Sequence, residues 1–323
     1  MKRAFVRLIA TAVAACAVIL PLAAFADGGW SCNTIRILVP YAAGGGTDIV
    51  ARIVASKLGE DLHNTVIVDN RPGGKSIIAY QELLRARADG CTLLLDNSSH
   101  SIQSVYRDLP YDPQRDFQAV SEVALGPTLL ATSTSFPASN LKEFVGQAKK
   151  GDVKYGSYGV GTSSHLDGET LSVDASASMT HVPYRGSAPA LNDLVGGHIQ
   201  ALFVDGLAAR PLLKAGKIRA IAAVGQVRWK AFPDVPTFGE LGYADLSSPG
   251  WWGIFTGAKV PAAYVNQISD TLKKIVAEPD TVQKMWEIGA EAYTNGPAAF
   301  TSVTATESAR WQAIVAKRHI VLE

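Results

Sequence analysis

The chain predicts an α/β fold of two lobes with a ligand cleft between them, and three observations support this. From Ile35, apolar β-favouring runs alternate with helical periodicity in the order β-α-β-α-β, and the strands are apolar on both faces, as in a parallel sheet covered by helices. The alternation starts afresh with different residues near Pro127. After Pro249 the segment "WWGIFT" reads as a strand returning to the first lobe. One lobe inserted into another, with two crossovers, makes a hinged cleft.

The first residues lie outside that fold. "MKRAFVRLIATAVAACAVILPLAAFA" has the layout of an export leader: Lys2, Arg3 and Arg7 form a positive end, an apolar run follows from Leu8 to Leu22, and Ala24-Phe25-Ala26 supplies an A-x-A cleavage site. The apolar run is shorter than the ~20 residues a spanning helix needs. Two alternatives compete with cleavage after Ala26. An uncleaved anchor lacks a basic flank after the apolar run. Lipidation at Cys16, within "VAAC", leaves an apolar tether where a polar linker is expected. Cleavage after Ala26 is the expectation, and it makes the chain exported and soluble.

Removing 26 of the 323 residues leaves 297, enough for two ordinary domains. The leader takes three of the 30 basic residues, so 27 Lys and Arg face 29 Asp and Glu, a net of −2. Such a balance offers no nucleic-acid surface.

The elements follow in order. In the first lobe these are "IRILVPY", a helix from Asp48 to about Leu62, "TVIVDN", a helix near Ile77 to Arg87, and "CTLLLDN". In the second they are "TLLATST", a helix near Leu141 to Lys149, "VKYGSYG", a helix after Ser163, "MTHVPY", "IQALFVD" and "IRAIAAVG". Helices from Ala262 to Glu278 and from Pro297 to Lys317 complete the first lobe. The expected division is a leader of residues 1–26, a first lobe of residues 27–126 with 250–323, and a second of residues 127–249. Loops at the carboxyl ends of the strands share one edge of each sheet, where open α/β sheets bind ligands.

Cys32 and Cys91 survive loss of the leader and lie at the N-terminal ends of two predicted strands. If those strands are parallel neighbours, the cysteines come together. An oxidising compartment then predicts a disulfide, the alternative being two buried free thiols.

The loop of Gly44, Gly45, Gly46, Thr47 and Asp48 lacks the G-x-G-x-x-G spacing of dinucleotide sites. "GGKS" at Gly73 to Ser76 has Asp69 where a phosphate-binding loop needs its first glycine. A simpler reading survives. Glycines let backbone N–H groups approach a ligand, and a helix starting near Thr47 or Asp48 points its positive end at the same place. Asp48 is expected to cap that helix and could also receive a ligand donor; the alternative is a tight turn with no ligand. "YGSYGVGTSSHLDGE" repeats the scheme in the second lobe, with Thr162, Ser163 and Ser164 at a helix start. Two such helix starts facing each other would clamp a small anion. Ser98, Ser99 and His100 follow the third strand of the first lobe. Asp205 ends "IQALFVD" at the ligand side, as a ligand contact or a loop cap. Arg185 would neutralise a carboxylate or stay solvated, and Trp251 and Trp252 would line the cleft or pack at the hinge.

Catalytic readings find less support. Ser99-His100 and Ser164-His165 are adjacent pairs, which rarely face each other across a reacting atom. "YGSYG" misses the G-x-S-x-G elbow. The segment from His165 to Glu169 reads HLDGE, not H-E-x-x-H, and the six histidines show no metal-ligand spacing with either cysteine. No catalytic residue, metal or cofactor is expected.

The segments "VPYAAGGGTDIVARIVASKL", "VIVDNRPGG", "DGCTLLLDNSSH", "LPYDPQRDF", "YGSYGVGTSSHLDGE", "THVPYRGSAPALNDLVGGHIQALF", "AGKIRAIAAVG" and "PDVPTFGELGY" resemble, in order, the extracytoplasmic solute-binding proteins of tripartite tricarboxylate transporters, the Bug family. The resemblance runs from about Ile35 to Lys317. It implies a periplasmic, monomeric binding protein of the type II-like two-lobed fold. The ligand would be a dicarboxylate, tricarboxylate, acidic amino acid or aromatic acid, and the partner an integral membrane transporter of two components driven by an ion gradient. It also implies capture by amides, hydroxyls and ordered waters in loops matched here by Tyr41 to Asp48, Ser98 to His100, Ser157 to His165, and Asp205. The chain departs from the pattern at Ala42 and Gly46, where prolines are frequent, and at Lys75, where small residues are usual. At Cys91, tyrosine is common, which favours the disulfide. A transport receptor is the leading expectation, with a periplasmic sensor and a hydrolase as alternatives.

Overall fold

The computed structural model describes residues 30–106 and 108–321; the leader and its cleavage site lie outside them. The chain opens with β1 (Thr34–Val39), α1 (Gly46–Leu62), β2 (Thr65–Asn70), α2 (Ile77–Arg85), β3 (Thr92–Asn97), the single turn α3 (Ser99–Ile102) and the long β4 (Phe117–Gly126). A second series follows: β5 (Thr128–Ser133), α4 (Leu141–Ala148), β6 (Val153–Ser157), α5 (Ser163–Ala175), β7 (Met179–Pro183), α6 (Ser187–Val195), β8 (Ala201–Asp205), α7 (Gly206–Lys214) and β9 (Ile218–Ala223). The last elements are β10 (Gly250–Gly257), α8 (Ala262–Val276), α9 (Pro279–Ile288), β11 (Glu291–Ala292) and α10 (Pro297–Arg318).

Two sheets result. The first has the order β11-β4-β10-β3-β1-β2, the second β7-β6-β8-β5-β9. β1 pairs in parallel with β2 and β3, and β10 runs antiparallel between β3 and β4. "WWGIFT" is thus the returning strand, and the fold is the α/β, two-lobed one expected. Each sheet is buried on both faces: Ile35, Ile37 and Val39 of β1 enter one core while Leu38 enters the opposite one with Leu94 and Phe255. This two-sided burial is why the strands read as continuous apolar runs.

The structure adds elements that periodicity did not show. β4, "FQAVSEVALG", carries Ser121 and Glu122 at its centre, which breaks the apolar signal. Asn295 satisfies both: the Ser121 hydroxyl donates to its carbonyl at 2.6 Å, and its side-chain oxygen accepts the Glu122 N–H at 3.0 Å. The helix expected to reach Glu278 ends at Val276, because Pro279 starts the separate α9.

Cys32 and Cys91 form a disulfide, with Cα atoms 5.7 Å apart, because β1 and β3 are parallel neighbours. α10 joins the lobes. Its first half packs Phe300 against Trp251 and Phe255 of the first sheet, and its second half packs Trp311 and Ile314 against Leu166 of α5. Among the described residues, no helix is long and apolar enough to cross a membrane.

Candidate functional site

The carboxyl ends of β1, β2, β6 and β7 open onto one crevice between the lobes. Their following loops, at Pro40–Tyr41, Gly73–Ser76, Tyr158–Thr162 and Tyr184–Arg185, enclose a cavity of about 340 Å³. It lies where open α/β sheets bind ligands.

The lobes are closed around it. The Ala42 N–H donates to the Arg185 carbonyl at 2.8 Å, the Ser163 N–H donates to Ser99 Oγ at 3.0 Å, and the Tyr41 and Tyr158 rings meet edge to face at 5.7 Å. Asp205 presses close across the gap: a Cβ placed on Gly46 would lie 2.1 Å from its Oδ1. Only glycine lets the carboxylate reach the start of α1.

The glycine loop is built differently from its sequence expectation. α1 begins at Gly46 with Gly45 as its cap, so Asp48 is not the N-cap. It sits in the first turn and reaches back to accept the Gly44 N–H at 2.9 Å. Arg52 grips it through two hydrogen bonds of 2.9 Å and Asn70 through one of 3.0 Å. Burial pushes the Asp48 carboxyl up, but Arg52, the Gly44 N–H and Asn70 outweigh it and hold it below the usual range. Gly44 takes φ +85°, a left-handed turn that favours glycine. Thr47 faces inward too, its hydroxyl accepting from Trp252 Nε1 and Asn97 Nδ2 at 3.1 Å each. Trp252 therefore braces the loop instead of lining the cavity, and Trp251 packs in the core with its indole on Glu307 at 2.8 Å.

Tyr41 lines the cavity and its hydroxyl donates to Asp96 at 2.9 Å. Beyond β3, Ser98 and Ser99 are buried, and Ser99 makes the lobe contact. His100 belongs to the core: its ring stacks on Phe255 at 4.0 Å and meets the Tyr80 hydroxyl at 2.8 Å, and burial pushes it down to about 3.

In the second lobe Thr162 caps α5 and lines the cavity, with its hydroxyl on the Gly159 carbonyl at 2.7 Å. Ser163 pairs with the Tyr158 hydroxyl at 2.5 Å, and Ser164 accepts the Tyr158 N–H at 3.1 Å. His165 accepts the Gly161 N–H at 3.2 Å and stacks on His181 at 3.8 Å; burial pushes it down to about 3. Ser157 Oγ meets His181 Nε2 at 2.6 Å, but Ser157 is fully buried and its hydroxyl also reaches the Gly159 carbonyl. Asp205 caps α7 through the Ala208 N–H at 2.8 Å and accepts from Ser187 at 2.5 Å; burial raises its carboxyl.

The expected residues thus fall into three groups. Tyr41 and Thr162 line the cavity, while Gly45, Gly46, Ser99, Ser163 and Asp205 form the lobe contact. Gly44, Thr47, Asp48, Ser98, His100, Ser157, Ser164 and His165 shape the loops from behind. The segment Gly73–Ser76, Tyr158, Val160 and Tyr184 also line the cavity. Gly73–Ser76 lie in "NRPGGKS" and Tyr184 in "HVPYRGS", each of which runs off the carboxyl end of a strand, and Tyr158 and Val160 belong to the expected Ser157–His165 loop.

Residues 50–320 match the model of TctC, the tripartite tricarboxylate transporter family receptor. The chain belongs to this family. Among solved structures, this TctC-family chain is similar to the periplasmic binding protein BugD, at 29% identity over 89% of this chain and 98% of that one, with a TM-score of 0.84. A Rhodopseudomonas palustris protein solved with adipate shares 30% identity over 90% of this chain and 99% of that one, with a TM-score of 0.86. MatC from the same organism, solved with bound malate, shares 27% over 87% and 98%, with a TM-score of 0.83. The TctC-family chain is a solute-binding receptor. Among the described residues, no three His, Cys, Asp or Glu side chains gather as a metal site.

Proposed function

We propose that the chain is an exported receptor that captures a small carboxylate by lobe closure and delivers it to the integral membrane components of a tripartite transporter. The carrying observation is the convergence of loops from two sheets on one cavity, with direct hydrogen bonds between the lobes around it. A carboxylate that touches Gly44–Asp48 on one lobe and Thr162–Ser164 on the other makes both sets of contacts only in the closed state, and this difference drives closure, with the interlobe bonds adding to it. Adipate and malate in related structures support a dicarboxylate, with tricarboxylates, acidic amino acids and aromatic acids as wider candidates. The leader and the disulfide support a periplasmic location. In this reading the first lobe comprises residues 27–126 and 250–323, the second comprises residues 127–249, and the receptor acts as a monomer. Buried Ser157 supports binding without turnover.

The test is calorimetry and thermal shift on residues 27–323 against mono-, di- and tricarboxylates, acidic amino acids and aromatic acids. Stabilisation by one carboxylate class, with the acid recovered unchanged, is the expected result. Consumption of the acid would establish an enzyme instead. Uptake unaffected by deletion of the gene would favour a sensor.

A further inference from the structure

Near the carboxyl end of β3, Asp96 has no exposed surface and no counter-ion. Its carboxylate accepts three hydrogen bonds: from the Tyr41 hydroxyl at 2.9 Å, the Tyr80 hydroxyl at 2.5 Å and the Asn97 N–H at 2.7 Å. Among the described residues no Lys or Arg acts on it. A buried carboxylate without a cation is costly, and three donors offset only part of that cost. Burial accordingly pushes the carboxyl up to about 6, with Tyr80, the Asn97 N–H and Tyr41 pulling the other way.

The titratable groups around Asp96 all stay neutral. Tyr41, and Tyr80 of α2, are pushed well above their ordinary value by burial first and Asp96 next, so both keep their protons. Burial and Asp96 also push up Tyr111, in the loop before β4, and burial holds His100 of α3 neutral. Opposite Asp96 on β10 stands Gly253, which has no side chain. Asp96 is thus the member of this cluster that changes charge near neutral pH. The cluster also has a partner for either charge state. His100 Nδ1 meets the Tyr80 hydroxyl at 2.8 Å, and the Pro113 carbonyl, which can only accept, draws the ring N–H to Nε2. With Asp96 ionised, Tyr80 donates to it. With Asp96 protonated on Oδ2, that O–H donates to Tyr80 and Tyr80 donates to His100, while Tyr41 keeps its bond to Oδ1. A carboxylate that never took a proton would have no use for the acceptor that His100 supplies.

Tyr41 lines the cavity and contacts Asp96, so one side chain spans the distance from a bound solute to the buried acid. An anion arriving in the cavity repels a carboxylate there, and no cation intervenes to screen the two. We propose that Asp96 is a proton-binding site coupled to the cleft: as an anionic solute enters, Asp96 takes one proton from water onto Oδ2, and the receptor captures acid and proton together. Loss of that proton then favours release of the acid. This rests on the cleft being a carboxylate site, and it adds a second, smaller ligand held by residues behind the cavity wall.

The test is calorimetry of residues 27–323 with malate, adipate, glutamate and benzoate between about pH 6.5 and 8, where their carboxyls are ionised. Each titration is run in PIPES and in imidazole, whose different ionisation enthalpies turn proton uptake into a difference in heat. The parent protein should take up on the order of half a proton per acid bound near pH 6.5, and its affinity should rise about threefold per pH unit as pH falls. The sign follows because the bound state holds more protons than the free state. Asp96→Asn, a neutral side chain of the same shape, should lose that uptake and flatten the pH dependence. Tyr80→Phe takes one donor from the carboxylate and should move the uptake to higher pH, with circular dichroism to confirm that both variants fold. If Asp96→Asn does not fold, the displaced uptake in Tyr80→Phe decides. No uptake in the parent, or uptake that the variants leave unchanged, would overturn the assignment while leaving the receptor intact. Failure of the parent protein to bind any carboxylate would overturn the receptor reading and the assignment together.

Discussion

At Gly46 one hydrogen atom decides whether the lobes can meet. A methyl group there would collide with Asp205 Oδ1, while the helical position itself welcomes alanine. Gly46→Ala is therefore expected to leave each lobe folded and to disfavour closure. Ligand affinity should fall by about tenfold or more, with the melting temperature of the free protein within a few degrees of the parent. Calorimetry and small-angle scattering check this, and unchanged affinity with an unchanged radius of gyration would refute it. At the same scale, Asp48 shows how a sound local rule picks the wrong atom. Aspartate is a favoured cap, but the loop gave that position to Gly45, and Asp48 found the Gly44 N–H by reaching back from the first turn. Single-residue roles depend on which N–H groups the turn leaves unpaired, and the turn geometry is not written in residue types.

Among the elements, the neighbouring strands β1 and β3 bring the two cysteines together across 59 residues of chain. Closing a loop of that size is worth on the order of 4 kcal/mol in the chain-entropy account, less whatever the reduced chain recovers. Cys32→Ser with Cys91→Ser should lower urea-unfolding stability by about 2–4 kcal/mol, and a loss under about 0.5 kcal/mol would refute this. α10 carries a second prediction. The Arg318 side chain is nearly buried between Asp174 at 2.8 Å and Asp245 at 2.5 Å, both from the second lobe. Arg318→Met removes the nearly buried guanidinium that the two carboxylates share, Asp245 keeping only Lys317 at 3.5 Å, and should cost about 1–3 kcal/mol, read by the same unfolding curves. Both expected helices of the C-terminal segment exist, but α9 was hidden because its periodicity follows that of α8 with only Pro279 between them. β4 was hidden because Asn295 satisfies its central polar residues from a distant part of the chain.

Across the whole molecule, buried titratable groups pull stability in opposite directions. Burial pushes His100 and His165 down to about 3 and His181 to about 4, below their ordinary 6.5. In that interval the unfolded chain takes up protons that the folded chain refuses, so these groups make stability fall as pH falls. Burial raises Asp96 to about 6 and Glu122, Asp167 and Glu307 to about 7. Here the folded chain keeps protons that the unfolded chain releases, so these groups make stability fall as pH rises. The two sets oppose each other between about pH 4.5 and 6.5, and net stability there should change by less than ~1.4 kcal/mol per pH unit. Single substitutions should expose each slope in thermal melts. Asp167→Asn should gain on the parent as pH rises from about 4 to 7, and His181→Gln should gain as pH falls from about 6.5 to 4. Parallel stability profiles for parent and variants would refute the assignment.

What the sequence alone determined was the lobe plan. Strands buried on both faces must be apolar throughout, helices covering them must show their own period, and two strands that start beside each other can join their cysteines. These are local or nearest-neighbour constraints, and "IRILVPY", "CTLLLDN" and "WWGIFT" carry them in their composition. The tertiary structure alone decided which loop residues line the crevice between the lobes. Thr47 and His100 turn inward because Trp252 and Tyr80 offer hydrogen-bond partners there, while the loops of Tyr41 and Thr162, 121 positions apart in the chain, line one cavity. Which partner a polar group finds is settled by packing, and packing is a property of the closed molecule.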